Sequence, residues 1–365
     1  MKILHILYSG LGGHGNVFFS IIKADENKDF EYEAIFAGVE GIREEYVTKS
    51  NFNKIQWNFF KKNKKLDIVF NKKIVDTIKA STSSIIFLHG SRYVILARLA
   101  SFLSKTKKKI IVRETQANHL KTKSEWVFLW LAMFFADKIV FLTDKFNDEV
   151  KQKLGFFYRP GKISVINNGM DLSFFKPLPK LPSKIIVMGM QSRIVPIKDH
   201  KTLLHAFSIL QTEHPELLLQ LKIAGDGESL PAIKVLATQL KLDQHVIFTG
   251  MLNEVNLVSF MQSLDIYIHA SYGETMSTAV MQAMACKLPI IASNVAGINN
   301  MIENGKTGIL VPLKDARALA DGLFTIINNP IMADEMKQAA FNFANHTFSN
   351  KTMFNKYKAI FESFM

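Results

Sequence analysis

Cysteine is nearly absent: among 365 residues only Cys286 carries a thiol. That excludes an intramolecular disulfide framework and a cysteine-built metal cluster, and it points to a reducing compartment, the cytoplasm. Acidic side chains are also in short supply, 32 against 45 Lys plus Arg, for a net charge of +13. Long apolar runs are missing as well. The longest, Trp126 to Ala136, would extend roughly 16 Å as a helix, about half of what a bilayer core demands, so no membrane span is expected. It reads first as a buried helix and second as an apolar contact with a membrane surface. The opening Met1-Lys-Ile-Leu-His-Ile-Leu-Tyr8 is apolar for too few residues to make a signal peptide, and reads as a buried strand. What is abundant is core-forming material: 48% of residues are hydrophobic, in a chain of about two domains' length. A peptide hormone, a disulfide miniprotein and a low-complexity scaffold are excluded.

The charge is unevenly placed. Residues 1 to 175 hold 28 basic and 17 acidic side chains, residues 176 to 365 only 17 and 15. The first half should therefore face something anionic, and charge alone does not choose among nucleic acid, an acidic membrane and phosphate-bearing substrates. Short β-branched and aliphatic runs alternate with longer amphipathic stretches, the pattern of parallel βαβ units. Strands are predicted at Ile3 to Tyr8, Tyr32 to Ala37, Ile85 to Leu88, Ile110 to Arg113 and Lys138 to Leu142. The series restarts at Lys184 to Met190, Leu219 to Ala224, Val246 to Thr249, Ile266 to His269 and Pro289 to Ala292. Two α/β domains follow, 1–171 and 184–345, with the proline-studded 172–183 as linker and 346–365 as a C-terminal helix returning to the first domain. The fold class is α/β, two Rossmann-like domains facing across a cleft, with ligands at the carboxyl ends of the strands.

After the first strand, Gly10-Leu-Gly12-Gly13-His14-Gly15 matches G-x-G-x-x-G, whose glycines let backbone approach a phosphate. A dinucleotide site also wants an acid ending the second strand, which here ends Phe36-Ala37-Gly38-Val39, with Glu40 the only nearby candidate. A loop lining a cleft against a phosphorylated ligand and a purely structural turn are the other readings.

In the second half, Arg193 and Lys198 flank a strand-end loop where a guanidinium fork and an ammonium could neutralise a pyrophosphate. Gly225-Asp226-Gly227 would allow close ligand approach. Ser271-Tyr-Gly-Glu274-Thr275-Met276-Ser277 reads as a loop feeding a helix, with the amides of Thr275, Met276 and Ser277 at its start directed at an anion. Glu274 and Gln282, taken on one helix, would stand roughly 12 Å apart along it and could contact opposite ends of an elongated ligand. Met251 to Asn253, including Leu252, is the expected base-reading loop.

These residues resemble the retaining glycosyltransferases of the family 4 type, group 1, with the two-Rossmann GT-B architecture. The resemblance runs through the glycine loop, Ile166-Asn-Asn-Gly-Met-Asp171, Arg193 and Lys198, Gly225-Asp-Gly227, Val246-Ile-Phe-Thr-Gly250, the Glu274 segment, Pro289-Ile-Ile-Ala-Ser293 and the terminal Phe348-Ser349 with Tyr357 and Phe361. It implies a nucleotide-sugar donor as co-substrate. Arg193 and Lys198 would grip the diphosphate, Glu274 the hexose and residue 282 the ribose, with Gly12, Gly13 and Gly225 close by. It also implies front-face transfer with retention, no metal and no other cofactor. One departure is plain: the family's Glu-x7-Glu is here Glu274 and Gln282, an amide that hydrogen-bonds a diol without charge assistance.

Arg113-Glu-Thr-Gln-Ala-Asn-His119 follows the fourth strand. By resemblance His119 contacts the donor hexose near the reacting centre, and a surface loop histidine is the plain alternative. His14, His89 and Arg113 are acceptor-side candidates, with structural roles as the competing account for the histidines. Lys61, Lys62, Lys64 and Lys65 with Lys105, Lys107, Lys108 and Lys109 could dock an anionic leaflet, each worth about 1 kcal/mol. The expected acceptors are lipid-linked oligosaccharides or lipopolysaccharide cores in envelope polysaccharide synthesis, with the protein peripheral on the inner face of the cytoplasmic membrane. A catalytically silent nucleotide-sugar binder is the alternative. Nucleic acid is not an expected partner, since no zinc spacing, RNP-like aromatic pattern or basic recognition helix is present.

Overall fold

The computed structural model describes residues 1–8, 13–38, 55–63, 67–180 and 183–365. Gly10, Gly12, Glu40, Lys64, Lys65 and the side chain of His14 lie outside that description, and of Gly13 only the backbone is described. The chain divides into two units, Met1–Met170 with Ser349–Met365, and Asp171–Phe348.

The first unit holds a parallel sheet in the order β3-β2-β1-β4-β5-β6-β7. Its strands are β1 Lys2–Tyr8, β2 Glu31–Ala37, β3 Gln56–Phe60, β4 Ile85–Leu88, β5 Lys109–Arg113, β6 Lys138–Phe141 and β7 Ile163–Val165. The second unit holds β10-β9-β8-β11-β12-β13, also parallel: β8 Ile185–Gln191, β9 Leu218–Ala224, β10 Val246–Gly250, β11 Ile266–His269, β12 Ile290–Ser293 and β13 Ile309–Val311. Each order reverses direction once, between β1 and β4 and between β8 and β11. Such switch points open a crevice at the carboxyl edge of a doubly wound sheet.

Helices cover both faces, so the inner stretches of the central strands are buried and read as apolar runs. Ile3, Leu4, Ile6 and Leu7 of β1 and all four residues of β4 are essentially inaccessible. Three strands escaped the sequence reading: β3, β7 and β13. All three are sheet edges, half covered, and Gln56-Trp-Asn-Phe-Phe60 carries amide side chains among its aromatics. An edge strand needs one buried face only, so its sequence lacks the aliphatic run that marks a central one.

The expected linker 172–183 is not free. Asp171 caps a short turn by accepting from Ser173 N at 3.0 Å, and Leu172 and Phe175 are buried. Gln262 donates to the Lys176 carbonyl at 2.8 Å, and Lys180 pairs with Asp265 at 2.8 Å. These bonds tie Lys176 and Lys180 to the second unit, which begins at Asp171.

At the far end the chain re-enters the first unit through helix Asn350–Glu362, capped by Ser349, which accepts from Thr352 N at 3.0 Å. Its Met353, Phe354, Tyr357, Ile360 and Phe361 share one face and join the core around Phe30 and Phe87. Recounted by unit, the charge asymmetry sharpens. The first unit has 31 basic and 17 acidic side chains, the second 14 and 15.

Two acceptor-side expectations fail here. His89 is fully buried, its Nε2 3.1 Å from His5 Nδ1, and Arg113 is buried with its guanidinium on the Asn168 side-chain oxygen. Both end strands, but both point into the core rather than out of the sheet edge. Lys108, expected on a membrane face, is also buried and donates to the Ser81 and Ser83 carbonyls, both at 2.7 Å. Lys109 leans towards Asp137 at 3.7 Å. The run Trp126 to Ala136 is helical within Lys123–Phe135, but only Leu129, Ala132 and Met133 of that helix are buried, so it is a surface helix with one covered face.

Phe361→Ala should destabilise the first unit by about 3 to 5 kcal/mol, the usual loss for a fully buried phenylalanine. Denaturant unfolding followed by tryptophan emission checks this, since all three tryptophans, Trp57, Trp126 and Trp130, lie in that unit.

Candidate functional site

The carboxyl edge of the second sheet gathers four loops. Loop 192–199 leaves β8, 225–229 leaves β9, 270–277 leaves β11 and 294–300 leaves β12. Backbone bonds stitch them: Ser192 N to the Ala224 carbonyl at 3.0 Å, Ile194 N to the Asp226 carbonyl at 2.9 Å, Asp199 N to the Ala270 carbonyl at 3.1 Å, and Tyr272 N to the Ile197 carbonyl at 2.9 Å. Gly225 sits at φ +137°, where an added Cβ would collide with the Ser192 carbonyl oxygen. Gly297 at φ +92° faces the Glu274 carbonyl in the same way. Glycine at these two positions lets adjacent loops approach to backbone contact.

At the switch point between β8 and β11 stands Glu274, half-buried. Its Oε1 accepts from His269 Nε2 at 2.8 Å and pairs with Lys198 Nζ. His269 ends β11, and its Nδ1 lies 3.2 Å from the Tyr267 hydroxyl. With the imidazole neutral and its proton on Nε2, Nδ1 accepts from Tyr267. Burial opposes ionisation of Glu274, but the His269 hydrogen bond and the Lys198 charge outweigh it and hold the carboxyl at about 2. Burial lowers the His269 pKa, and Lys198 adds to that, against the pull of Glu274.

Lys198 is aimed by its surroundings. An isolated antiparallel bridge joins it to Ser271, and Asp199 accepts from Thr202 N at 3.1 Å to cap helix His200–Glu213. His200 touches the Lys198 carbonyl at 3.0 Å through Nδ1 and the Ser192 hydroxyl at 3.2 Å through Nε2. Burial brings His200 down to about 4. The loop is thus locked from both sides, while Arg193 extends from it into solvent.

The helix expected to begin near Glu274 begins later, at Thr278, with Ser277 as its cap. The Ser277 hydroxyl accepts from Val280 N at 3.4 Å, and the Ser277 amide is directed at Met301 Sδ. The amides that have no intrahelical partner are therefore those of Thr278 and Ala279, not Thr275 to Ser277. Glu274 belongs to the preceding loop because Ser271 and Gly273 turn the chain, the Ser271 hydroxyl donating to the Gly273 carbonyl at 3.1 Å. Glu274 and Gln282 therefore do not share one helix. Gln282 lies in helix Thr278–Ala285, buried, and its Oε1 accepts no hydrogen bond from the described residues. A buried amide oxygen without a donor is costly unless something supplies one.

Met251 is exposed and Leu252 half-buried beyond β10, beside Gly250, whose carbonyl accepts from Gly225 N at 2.8 Å. His119, in the first unit, is exposed on a short turn whose neighbour Asn118 is strapped to the Phe146 carbonyl at 2.9 Å. The sequence reading missed His269, Tyr267 and His200. His269 left one signal, a titratable side chain closing the buried run Ile-Tyr-Ile-His five residues before Glu274.

Two family profiles divide the chain. The one for Glycosyltransferase Family 4 matches residues 11–174, and that for Glycosyl transferases group 1 matches 173–343. The chain belongs to the group 1 glycosyltransferases of the family 4 type. The D-inositol 3-phosphate glycosyltransferase of Kribbella flavida is 28% identical over 220 residues, 56% of this chain and 51% of that one. The chain thus spans about half the length of such curated relatives. An uncharacterised glycosyltransferase of Methanocaldococcus jannaschii is 28% identical over 280 residues, 75% of this chain and 66% of that one. Among solved structures, Anabaena HepE in complex with UDP-glucose superposes with a TM-score of 0.82 at 20% identity, covering 100% of both chains. That likeness shows the GT-B fold.

Glu274 titrates below its ordinary 4.5, so its contribution to stability is complete above that value and is lost as pH falls towards about 2. Stability of the second unit measured across this window should fall more steeply in wild type than in Glu274→Gln. Equal slopes would mean that the carboxylate is not held by its partners.

Proposed function

We propose that the protein is a retaining, metal-independent glycosyltransferase. It moves a hexose from a UDP- or GDP-sugar to a lipid-linked oligosaccharide or lipopolysaccharide-type acceptor at the inner face of the cytoplasmic membrane. The observation that carries the reading is the switch-point cluster: a fixed carboxylate, Glu274, an ammonium, Lys198, and an exposed guanidinium, Arg193, beside the amides that open helix Thr278–Ala285. A diphosphate would take Lys198, Arg193 and the Thr278 and Ala279 amides, while hexose hydroxyls donate to Glu274. The donor would replace the Lys198–Glu274 pair with one contact to each partner. Gln282 would accept from a ribose hydroxyl, which would supply the donor that its Oε1 lacks among the described residues.

In the transfer step, the acceptor oxygen bonds to the anomeric carbon on the face the diphosphate leaves. The bond from that carbon to phosphate oxygen breaks, and the acceptor proton passes to the departing oxygen. Arg193, Lys198 and the helix amides stabilise the charge that grows on the leaving group, the task a metal performs elsewhere. The UDP-glucose in HepE supports a UDP-hexose donor, while for the acceptor WaaB, of TM-score 0.76, is named as a lipopolysaccharide outer core galactosyltransferase and the Kribbella flavida relative as a D-inositol 3-phosphate glycosyltransferase. The strongly basic first unit supports an anionic acceptor side.

Gln282, uncharged where the family has glutamate, favours a second reading, a silent nucleotide-sugar binder. Thermal unfolding with UDP-, GDP- and ADP-sugars, followed by product analysis with EDTA present, separates them. The expected result is a raised midpoint with one UDP- or GDP-sugar, and EDTA-insensitive transfer. Stabilisation without product would select the silent binder.

Arg193→Ala and Lys198→Ala should each lower kcat by about 100-fold, the usual loss for one donor to a developing oxyanion. Near-wild-type turnover in both would remove the mechanism.

A further inference from the structure

The aromatic side chains of the first unit are not all in its core. On helix Lys123–Phe135 the residues Trp126, Trp130 and Phe134 repeat every four positions and form one stripe. Trp130 and Phe134 stand 5.1 Å apart between ring centroids, and Phe157, from the turn Gly155–Phe157, packs on both at 5.8 and 6.2 Å. Phe156 extends the cluster, 5.9 Å from Phe157. This cluster is outside: Phe156 is 86% exposed, Phe157 44% and Phe134 40%.

The charged side chains that lie over its rings are cations. Lys153 lies 4.7 Å above the Trp126 ring, and Arg159 lies 5.6 Å from Phe134 and 5.8 Å from Phe156. Acidic groups on and just after the helix are already engaged. Glu125 accepts from Thr122 N at 2.7 Å in a capping box, and Asp137 accepts from Arg98 at 3.0 Å.

We propose that this aromatic and cationic stripe is a docking element for an anionic lipid surface, with Phe156 and Phe157 entering the boundary between headgroups and acyl chains. Aromatic rings with flanking Lys and Arg suit that boundary, where apolar and charged groups are each satisfied at their own depth. The charge argues against a second copy as occupant. Pairing two such faces would bring cationic rims together on units that already carry 31 basic against 17 acidic side chains. The stripe differs from the lysine clusters: Lys108 is buried and Lys109 leans to Asp137, whereas Arg159 and Lys153 sit over rings that can follow them into the interface. The inference rests on the proposed membrane-side acceptor only for its setting.

The test uses the full chain with vesicles of phosphatidylglycerol and phosphatidylcholine, and with vesicles of phosphatidylcholine alone. Wild type should sediment with the first and not the second, with a blue shift of tryptophan emission as lipid replaces water around the partly exposed Trp130. The double variant Phe156→Ser/Phe157→Ser should lose at least about tenfold in partition and most of the blue shift. Lys61→Ser/Lys62→Ser should lose less. Unchanged partition in the phenylalanine variant would overturn the proposal. So would a wild-type dimer in light scattering that becomes a monomer on the same substitutions, because a second copy would then cover the stripe. The sugar-nucleotide thermal shift is read in parallel. If it is absent while vesicle binding behaves as expected, the donor reading fails and this one stands.

Discussion

A single carboxylate organises the second unit's carboxyl edge. Glu274 lies in the loop after β11, Lys198 in the loop after β8, and these two strands are neighbours across the point where strand order reverses. The pair closes the crevice that the topology opens. Its strength comes from support on both sides. His269 and Tyr267 hold the carboxylate from beneath, while His200, the Asp199 cap and the Ser271 bridge fix the Lys198 backbone that carries the ammonium. A carboxylate and an ammonium held this way are preorganised, so a ligand that contacts both need not order them itself.

The two units divide the electrostatics. The second is nearly neutral overall, so its local cations act against little background, whereas the first concentrates the excess positive charge. Part of that excess is structural. Lys108 donates to two carbonyls and the Thr106 hydroxyl, and Lys162 donates to the Met133, Phe134 and Ala136 carbonyls at the end of helix Lys123–Phe135. Counting lysines therefore overstates the charge that faces outward. The lone thiol is likewise a core group, since burial pushes Cys286 up to about 12 and leaves it unreactive.

The central strands were legible because burial on both faces demands aliphatic runs, and the site's main groups were legible because strand-end loops with glycine, cation and carboxylate are unusual there. The edge strands β3, β7 and β13 were not, since half-covered strands carry mixed sequences. His89 and Arg113 misled for one reason: both end strands, as site residues do, yet side-chain direction at a strand end is decided by packing around it. The helix start near Glu274 was misplaced because Ser271, Gly273 and the Ser277 cap compete for the same turn, and Met301, far along the chain, helps settle it.

The sequence alone determined the α/β class, the repetition of βαβ units, the family and the residue types of the candidate site, because each depends on local periodicity or on short spacings. Only the tertiary structure decided which charges are spent inside. It joined Lys198 to Glu274, buried Arg113 and Lys108, tied 171–180 to the second unit and left Phe156 and Phe157 in water. The physical reason is that burial and pairing are properties of neighbours brought together from distant parts of the chain. No local pattern carries that information.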